Sequence, residues 1–338
     1  MLQEATRALV AGRSLERAEA RGAMEAILAP APPVQVASFL TALTMKGETP
    51  DEIAGLAEAM RGQAVQVPGS WGDLLDTCGT GGDRAGTFNI STTAAFIAAA
   101  CGLKVAKHGG RSASSKCGSA DVLEALGIDV ELSPEAAASC LETHGITFLF
   151  APRYHPAMKH VAPVRRELGF PTAFNLLGPL CNPLRPTHQV LGVFRHAHVP
   201  LMARALRELG TRRALVVHGR GGLDELSLEG PSEVAELKAD GTIRTFQLDP
   251  SDAGLAPAPL SALAGGDAPT NANLIRAVLS GEDRGPCRDV VLWNAAAALW
   301  LGGAADDMRA GVALAAETVD SGAAIAKLEA FGRATRPS

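Results

Sequence analysis

The chain contains 338 residues, of which 47% are hydrophobic and 20% are charged, a balance that is typical of globular proteins. This length suggests about two domains and is sufficient to bury a sizeable core. The formal net charge of −5 gives no sign of a basic surface, so neither nucleic acid nor an anionic membrane is expected as a partner.

The cysteines and the N-terminal residues indicate the compartment. None of the 6 cysteines forms a CxxC pair, which is typical of reduced thiols in a cytoplasmic protein. The first residues mix charged and apolar side chains and lack the apolar centre of a signal peptide. No run of ~18 uncharged apolar residues is present, so we expect a cytoplasmic protein without a membrane span.

Residues 1–68 show helical features and no strand pattern. Ser14 is a candidate N-cap, because acidic residues follow it in the first turn. Pro33 opens a second apolar segment. Thr49 precedes a proline and then Glu52, the pattern of a capping box with proline at the first helical position. We predict a small bundle of three short helices.

From Asp73 onward, strand-like runs alternate with helical segments, which favours a largely parallel sheet in an α/β domain. Residues 156–183 interrupt the alternation, and part of this stretch is expected to pack on the N-terminal bundle. Predicted strands cover residues 74–77, 103–107, 147–150, 190–194 and 214–217. Predicted helices cover residues 92–101, 119–126, 133–143 and 199–209, then 270–280, 288–301 and 307–330.

The first segment with chemical potential is the glycine-rich run 79–83, which follows a predicted strand and leads to Ser91 and Thr92 at a helix start. Glycines let backbone N–H groups approach a phosphate, and a helix N-terminus favours an anion. A tight strand–helix connection would use the same small residues. The run matches neither a Walker motif nor GxGxxG.

The second segment, residues 107–119, also follows a strand and combines glycines, hydroxyl groups and the cations Lys107, Arg111 and Lys116. Taken singly, such a loop is commonly just solvated. Two such loops after neighbouring strands favour a polyphosphate site, since ligands of α/β sheets lie beyond the carboxyl ends of the strands.

The third segment is the adjacent pair Asp224 and Glu225, which follows a strand and a glycine-rich turn. Hard carboxylate oxygens together with substrate phosphates are what Mg²⁺ prefers. In isolation the pair is better explained as a solvated acidic turn. Two phosphate loops favour the metal, because a polyphosphate leaving group needs one.

The fourth segment, residues 154–183, mixes histidines, arginines and apolar groups. Arg165 suits a carboxylate, and prolines and leucines suit the ring of a planar aromatic acid. Histidines in such a stretch are by default structural.

Together the four segments resemble the anthranilate phosphoribosyltransferase family over essentially the full chain, in order, spacing and length. The motifs are GTGGD with FNIST, KHG with GSADVLEALG, HPAMKHV with PVRRELG, FN with LGPL and NP, and the DE pair. The resemblance implies an α/β fold of the nucleoside phosphorylase-like phosphoribosyltransferase type. A small all-helical domain (1–68, with a returning segment at about 165–185) would precede a larger α/β domain (69–338) with a mostly parallel central sheet, and two chains would form a homodimer through the helical domain.

The resemblance also implies the reaction: the phosphoribosyl group of 5-phosphoribosyl 1-pyrophosphate is transferred to the amine of anthranilate, in tryptophan biosynthesis. Residues implied to bind phosphoribosyl pyrophosphate are Gly79, Gly82, Asp83, Thr87, Asn89, Ser91, Thr92, Lys107 and Ser119. Residues implied to line the anthranilate path are Gly79, His108, Gly110, His155, Arg165, Gly178 and Pro179. Ser91, Asp224 and Glu225 are implied to hold up to two Mg²⁺ ions per monomer.

No obligatory nucleophile is expected, because an aryl amine is neutral at pH 7 and needs placement more than activation. Lys107, His108 and Arg165 would position the substrates. The chain departs from the family at Gly110, where an asparagine is usual, and at Pro171, where an arginine is usual. Because glycine has no side-chain donor, a sister transferase with another aromatic amine remains an alternative.

Two further alternatives are open. A pyrimidine nucleoside phosphorylase would share the fold and a similar KHG loop, but it would be longer and would lack the DE pair. A paralogue that binds nucleic acid would require a basic surface, against the net charge of −5.

Overall fold

The structure is a computed structural model that describes residues 1–111 and 116–336. Four helices open the chain: α1 (Leu2–Val10), α2 (Arg17–Leu28), α3 (Pro33–Lys46) and α4 (Pro50–Gly62). The capping box predicted at α4 is confirmed, since Glu52 N donates to the Thr49 hydroxyl at 3.3 Å and Thr49 N donates to the Glu52 carboxylate at 2.8 Å.

Two details of the predicted bundle are wrong. The bundle contains four helices rather than three, and α2 starts after Glu16 rather than after Ser14. Glu16 forms a capping box with Glu19, whose carboxylate accepts from Glu16 N at 2.9 Å. Because Glu19 also binds Arg13, the acidic residues of the first turn fix this start two residues later than predicted.

The α/β part contains a seven-stranded sheet within the described residues, in the order β3-β2-β1-β4-β5-β6-β7. Its strands are β1 (Leu75–Thr77), β2 (Val105–Gly109), β3 (Ile146–Phe150), β4 (His188–Gly192), β5 (Arg213–His218), β6 (Ser232–Leu237) and β7 (Ile243–Leu248). The first five run parallel, which confirms the predicted mostly parallel sheet. The sequence reading missed β6 and β7, which add an antiparallel hairpin at one edge.

Eleven further helices surround the sheet in the described part of the chain. They are α5 (Ile90–Ala100), α6 (Ser119–Ala125), α7 (Pro134–His144), α8 (Ala151–Tyr154), α9 (Ala162–Leu168), α10 (Ala173–Leu177), α11 (His198–Glu208), α12 (Ala268–Ser280), α13 (Pro286–Leu301), α14 (Met308–Asp320) and α15 (Ala323–Thr335). The predicted helix 307–330 is two helices, because Gly322 adopts a left-handed conformation (φ 78°) between them.

Two apolar cores lie on the two faces of the sheet. One is centred on α5 and α13, with Trp293 and Phe96 fully buried. The other joins the N-terminal bundle to α11 and to inward-facing strand residues such as Leu191. Val164 and Phe174 from α9 and α10 also belong to this second core, so the bundle is held on the sheet by continuous burial of apolar surface.

The strand order reverses at β1, which lies between β2 and β4. The chain winds from β1 through β2 to β3 on one side, and from β4 to β5 on the other. Ligands of open α/β sheets bind at such a point, beyond the carboxyl ends of the strands. Among the described helices, none is both long and apolar enough to cross a membrane.

Candidate active site

The loop after β1 runs along the carboxyl end of β4. Cys78 N donates to the carbonyl of Val190 at 3.1 Å, and Thr80 N donates to that of Gly192 at 2.9 Å. Gly81 and Gly82 then adopt φ of 64° and 85°, a left-handed region that favours glycine. The loop therefore turns at the end of the sheet and leaves its glycine backbone accessible there.

The acidic pair contacts this loop and the start of α5. An oxygen of Asp224 accepts from Gly81 N at 2.7 Å, and an oxygen of Glu225 accepts from Ser91 N at 3.1 Å. The pair is therefore not a freely solvated turn, and it joins two of the segments predicted from the sequence. Asn294 of α13 fixes the next residue, because its amide exchanges hydrogen bonds of 2.9 and 3.0 Å with the backbone of Leu226.

Two glycines make this contact possible. A Cβ on Gly79 would lie 2.3 Å from a carboxylate oxygen of Asp224, and one on Gly192 would lie 1.5 Å from the carbonyl oxygen of Asp224. Neither distance is tolerable for a real Cβ. The acidic pair is thus seated directly on the loop after β1 and on the last residue of β4.

Negative charge on this buried pair is unfavourable unless a cation lies close by. Burial raises the pKa of both Asp224 and Glu225, and the nearby Asp83 raises it further. Lys107 is the cation that opposes this effect on Glu225, and its ammonium group also donates to the carbonyl of Thr77 and, at 3.4 Å, to the Ser91 hydroxyl. Such an acidic centre favours a bound cation.

A divalent cation fits these residues. A small cavity of about 10 Å³ lies between the acidic pair, Gly79 and Ser91, about the space of one water molecule. Two carboxylates and a hydroxyl are hard oxygen donors of the kind that Mg²⁺ uses alongside phosphates and water. No group of three or more His, Cys, Asp or Glu side chains arranged to hold a metal occurs within residues 1–111 and 116–336.

The end of β2 is anchored by a buried polar network that the sequence reading missed. Asp76 on β1 accepts from His108 N at 3.3 Å and from the Asn182 amide at 3.0 Å. The same amide donates to the carbonyl of Ala106 at 2.7 Å. Burial raises the pKa of Asp76 to about 6, while the charge of Lys107 opposes that shift. The network fixes the strand that carries Lys107 and His108.

The two predicted phosphate loops meet at Asn89. Its amide donates to the carbonyl of Cys117 at 3.2 Å and accepts from the amide of Asn271 at 3.0 Å. Ser119 follows at the start of α6, where its hydroxyl donates to the carbonyl of Gly110 at 3.3 Å. Ser112, Ser114 and Ser115 of the second loop lie outside the described residues.

The other predicted phosphate-binding residues differ in their burial and contacts near the carboxyl ends of the strands. Asp83 is half-buried in the loop after β1 and accepts from Ala85 N at 3.2 Å. Thr87 pairs with Ala264 through an isolated bridge, and Thr92 is buried within α5. Arg111 points to α6 instead, where Glu124 accepts from its guanidinium at 2.6 and 2.7 Å.

Two buried histidines form one wall next to β2. The rings of His108 and His155 lie edge to face with centroids 5.4 Å apart, and the Nδ1 of His108 contacts the carbonyl of Gly178 at 3.1 Å. Burial lowers the pKa of His108 to about 3 and also lowers that of His155, so both rings are neutral at pH 7. The Nε2 atoms of both rings are buried without a hydrogen-bond partner in the described structure.

Around this wall, Pro179 is held by the Gln189 amide, which donates to its carbonyl at 2.7 Å. Among the described residues, a Cβ on Gly110 would meet only the Cβ of Ala151, at 3.9 Å, so Gly110 borders open space with respect to that part of the chain. Arg165 is half-buried with its guanidinium 5.2 Å from the ring centre of Phe174. No polar or ring contact in residues 1–111 and 116–336 joins Arg165 to the histidine wall.

The residues missed from the sequence are mostly supports of the site. Asp76, Asn182, Gly192, Asn271 and Asn294 hold the loops and the acidic pair through the contacts above. Gly192 carried a partial signal, since it was a glycine inside the predicted strand 190–194; the structure ends β4 at this residue. The three asparagines and Asp76 lie far apart along the chain, so only the fold brings them together.

Comparison with known proteins places these features in a class. Residues 71–325 match the α/β domain of a glycosyl transferase family, and residues 3–64 match the helical bundle domain of that family. The chain is 56% identical to the anthranilate phosphoribosyltransferase of Chloroflexus aggregans, covering 97% of this chain and 96% of the relative, and 55% identical to that of Moorella thermoacetica over 98% and 97%.

Solved structures of anthranilate phosphoribosyltransferases share the fold of this chain. The anthranilate phosphoribosyltransferase of Thermus thermophilus superimposes with a TM-score of 0.93 at 47% identity, covering 98% of this chain and 99% of that one. The Saccharomyces cerevisiae enzyme in complex with phosphoribosyl pyrophosphate and Mg gives a TM-score of 0.90 at 32% identity, over 99% and 97%. The chain therefore belongs to the anthranilate phosphoribosyltransferase family, whose members are pentosyltransferases.

Proposed function

We propose that this enzyme transfers the phosphoribosyl group of 5-phosphoribosyl 1-pyrophosphate to the amine of anthranilate, giving N-(5-phosphoribosyl)anthranilate and pyrophosphate in tryptophan biosynthesis. One observation carries the proposal: Asp224 and Glu225 contact the glycine loop after β1 and the start of α5. A metal-binding carboxylate pair and two anion-binding elements thus converge on one point. The family membership of the chain supports the same reaction.

Phosphoribosyl pyrophosphate is proposed to lie across the carboxyl ends of β1 and β2. The glycine loop offers backbone N–H groups, and the N-terminal turn of α5 offers the hydroxyl of Ser91 and a favourable dipole for phosphate oxygens. Lys107 supplies a buried positive charge at the same point. Gly79, Gly82, Asp83, Thr87, Asn89, Ser91, Thr92, Lys107 and Ser119 remain the proposed binding set.

Ser91, Asp224 and Glu225 are proposed to hold up to two Mg²⁺ ions per monomer. Bound there, Mg²⁺ would neutralise the negative charge that grows on the departing pyrophosphate. The solved yeast relative with phosphoribosyl pyrophosphate and Mg supports this use of the metal. The backbone N–H groups of Gly81 and Ser91 keep the carboxylates of Asp224 and Glu225 in place, so the pair would hold a metal without rearranging when substrate enters.

The acceptor is proposed to bind along Gly79, His108, Gly110, His155, Arg165, Gly178 and Pro179. Neutral histidine rings suit the aromatic ring of anthranilate. A charged imidazolium would attract the anthranilate carboxylate and compete with Arg165 for it, whereas the neutral rings do not. Arg165, on the neighbouring helix α9, is proposed to turn from Phe174 towards that carboxylate when substrate binds. His108 and Lys107 hold the two substrates on opposite sides of the end of β2.

The proposed transfer inverts the anomeric carbon without a covalent intermediate. The amine of anthranilate is already neutral, so the site has only to align it with the carbon that loses pyrophosphate. Cys78 lines the same small cavity as the acidic pair, and burial raises the pKa of its thiol well above the ordinary value, so it stays protonated and unreactive. Trapping a ribosyl–enzyme adduct would contradict this mechanism.

We further infer a division of the chain at residues 68 and 69, a homodimer through the helical unit, and a cytoplasmic location. Val10, Val34 and Met45, on α1 and α3, are apolar side chains that are more than 70% exposed, and we infer that a second copy of the chain covers them. All six cysteines are free, as expected in a reducing compartment.

The test follows anthranilate fluorescence with enzyme, phosphoribosyl pyrophosphate and Mg²⁺. Loss of signal that requires all three components supports the proposal, and Asp224→Asn should abolish it. Asp240→Asn, on the exposed hairpin between β6 and β7, is the matched control and should leave the rate unchanged. Phosphate-dependent nucleoside cleavage without Mg²⁺ would instead support a nucleoside phosphorylase.

The open space at Gly110 favours one second candidate, a sister transferase with a different aromatic amine. Binding of phosphoribosyl pyrophosphate without consumption of anthranilate would select it. Screening other aromatic amines for release of pyrophosphate would then identify the acceptor.

A further inference from the structure

A second cleft of about 450 Å³ lies at the opposite edge of the sheet from the candidate active site. Its walls come from α2 and α4 of the bundle, from the residues just before β4 and from the end of α11. Its lining residues are Arg21, Glu58, Arg61, Gly62, Arg185, Pro186, Leu209, Gly210 and Thr211. Pro186 and Thr211 precede the amino ends of β4 and β5, about 16 Å from their carboxyl ends for strands of this length.

The cleft contains a buried arginine that forms no salt bridge with any described residue. Arg61 is only 8% exposed, and its Nε donates to the carbonyl of Leu180 at 2.5 Å. Glu58, the acidic residue of the cleft, is occupied by Arg17 at 2.5 Å. No salt bridge of Arg61 occurs in the described part of the chain. Burying a charge in this way is unfavourable unless a counter-charge is supplied.

The neighbouring arginines strengthen the positive charge rather than neutralise it. Arg185 is exposed at the cleft and likewise forms no salt bridge among the described residues. Burial lowers the pKa of Arg61, and the charge of Arg185 lowers it further, whereas Glu58 opposes the shift; the two cations are therefore close enough to repel each other. Arg21 also lines the cleft but is paired with Glu25 at 2.9 Å.

The C-terminal ends of two helices add negative partial charge to the cleft, but less than the positive charge of the two arginines. α4 and α11 both end at the cleft, and the carbonyl end of a helix carries roughly half a negative charge. One of these carbonyls, that of Glu208, is already satisfied by Arg17 at 2.6 Å. Two whole guanidinium charges therefore dominate the field inside the cleft.

We propose that this cleft, lined by Arg61 and Arg185, is a second anion-binding site that takes a small molecule carrying a phosphate group. Two guanidinium groups reaching from different walls match the several acceptor oxygens of a phosphate. The volume exceeds that of an inorganic ion and falls in the range of sites for small metabolites. Pro186 and Leu209 supply apolar surface for the organic part.

The site is separate from the one that binds phosphoribosyl pyrophosphate, since the two share no lining residue. Binding in the cleft therefore does not depend on the proposed transfer reaction.

The test uses isothermal titration of inorganic phosphate into the full chain, first saturated with phosphoribosyl pyrophosphate and Mg²⁺ in the absence of any acceptor. We expect one further phosphate per chain. Arg185→Gln, at an exposed position, should weaken this binding by about tenfold or more, since a charged hydrogen-bond partner is lost. Arg333→Gln, an exposed arginine on α15, is the matched control and should bind like the parent protein.

Three outcomes would overturn the proposal: no phosphate beyond the saturated site, equal binding by Arg185→Gln, or binding of succinate but not phosphate with the same dependence on Arg185. Arg61→Lys provides a second variant that keeps the charge but loses the donor fork, and it should also weaken binding. If phosphoribosyl pyrophosphate itself fails to bind, the pre-saturation step reports that separately, and the titration of the cleft still stands.

Discussion

The replacement of Gly192 by alanine tests the structural basis of the acidic pair. The Cβ of an alanine would lie 1.5 Å from the carbonyl oxygen of Asp224, whereas real Cβ atoms keep at least 3.0 Å from such an atom. Asp224 and Glu225 must therefore move by about 1.5 Å, or the end of β4 must move instead. Misplacing a catalytic group by about 1 Å can cost about 100-fold in rate.

We expect Gly192→Ala to lower kcat/KM for phosphoribosyl pyrophosphate about 100-fold, or about 2.7 kcal/mol of transition-state stabilisation. Overpacking should also lower the free energy of unfolding by about 1–3 kcal/mol. The rate is measured from anthranilate fluorescence at several Mg²⁺ concentrations, and stability is measured by urea denaturation. Gly72→Ala is the control, because nothing lies within 4 Å of a Cβ there. Full activity of Gly192→Ala would refute the argument.

Three further predictions concern the acceptor, the assembly and the response to pH. Gly110→Asn should fit the open space and lower the anthranilate KM by up to about tenfold through one new hydrogen bond, as measured by steady-state kinetics, whereas an unchanged or raised KM counts against anthranilate. Met45→Lys, at a position that is 84% exposed, should convert the homodimer into monomers, as measured by analytical ultracentrifugation. The control Gln247→Lys makes the same charge change on β7 and should leave the dimer intact. A dimer that survives Met45→Lys contradicts the proposed interface. Burial lowers the pKa of His108 to about 3 from an ordinary value of 6.5, so the unfolded chain binds a proton that the folded chain does not, and stability is lost as the pH falls below 6.5. Between about pH 7.5 and about pH 5, this histidine should remove about 2 kcal/mol from the free energy of unfolding. In His108→Gln, the loss of stability over the same pH range should be smaller by that amount, as measured by urea denaturation at each pH. If the free energy of unfolding falls equally with pH in the two proteins, His108 is not a buried neutral group.

The parallel strands could be predicted because each is a short apolar run followed by a distinct loop. β2 and β3 read clearly in the sequence for that reason. β6 and β7 did not, because the exposed side of this edge hairpin carries charged residues such as Glu233 and Arg244, which hide the apolar alternation. The break at Gly322 was also missed, since a single glycine within a helical pattern does not by itself end a helix.

At the candidate site, residues carried by contiguous motifs were found and the supports were not. The run from Gly79 to Asp83 can be recognised from its glycine content, and the pair Asp224 and Glu225 from its two adjacent carboxylates. Asp76 and Asn182 cannot be recognised in this way, because an aspartate in a strand or an asparagine before a proline occurs in many structural contexts. Their hydrogen bond joins residues 106 positions apart, and no local pattern encodes it.

The sequence by itself determined the class of fold and located the two glycine-rich loops and the acidic pair, since each depends on local conformation and residue chemistry. The tertiary structure decided what these segments do to one another. Only the seating of Asp224 against Gly79 and Gly192 shows that the acidic pair is not a solvated turn. Only the packing of α4 beside the start of β4 leaves Arg61 buried without a salt bridge among the described residues. Burial and through-space charge depend on the whole fold, whereas helix caps and glycine turns depend on a few adjacent residues.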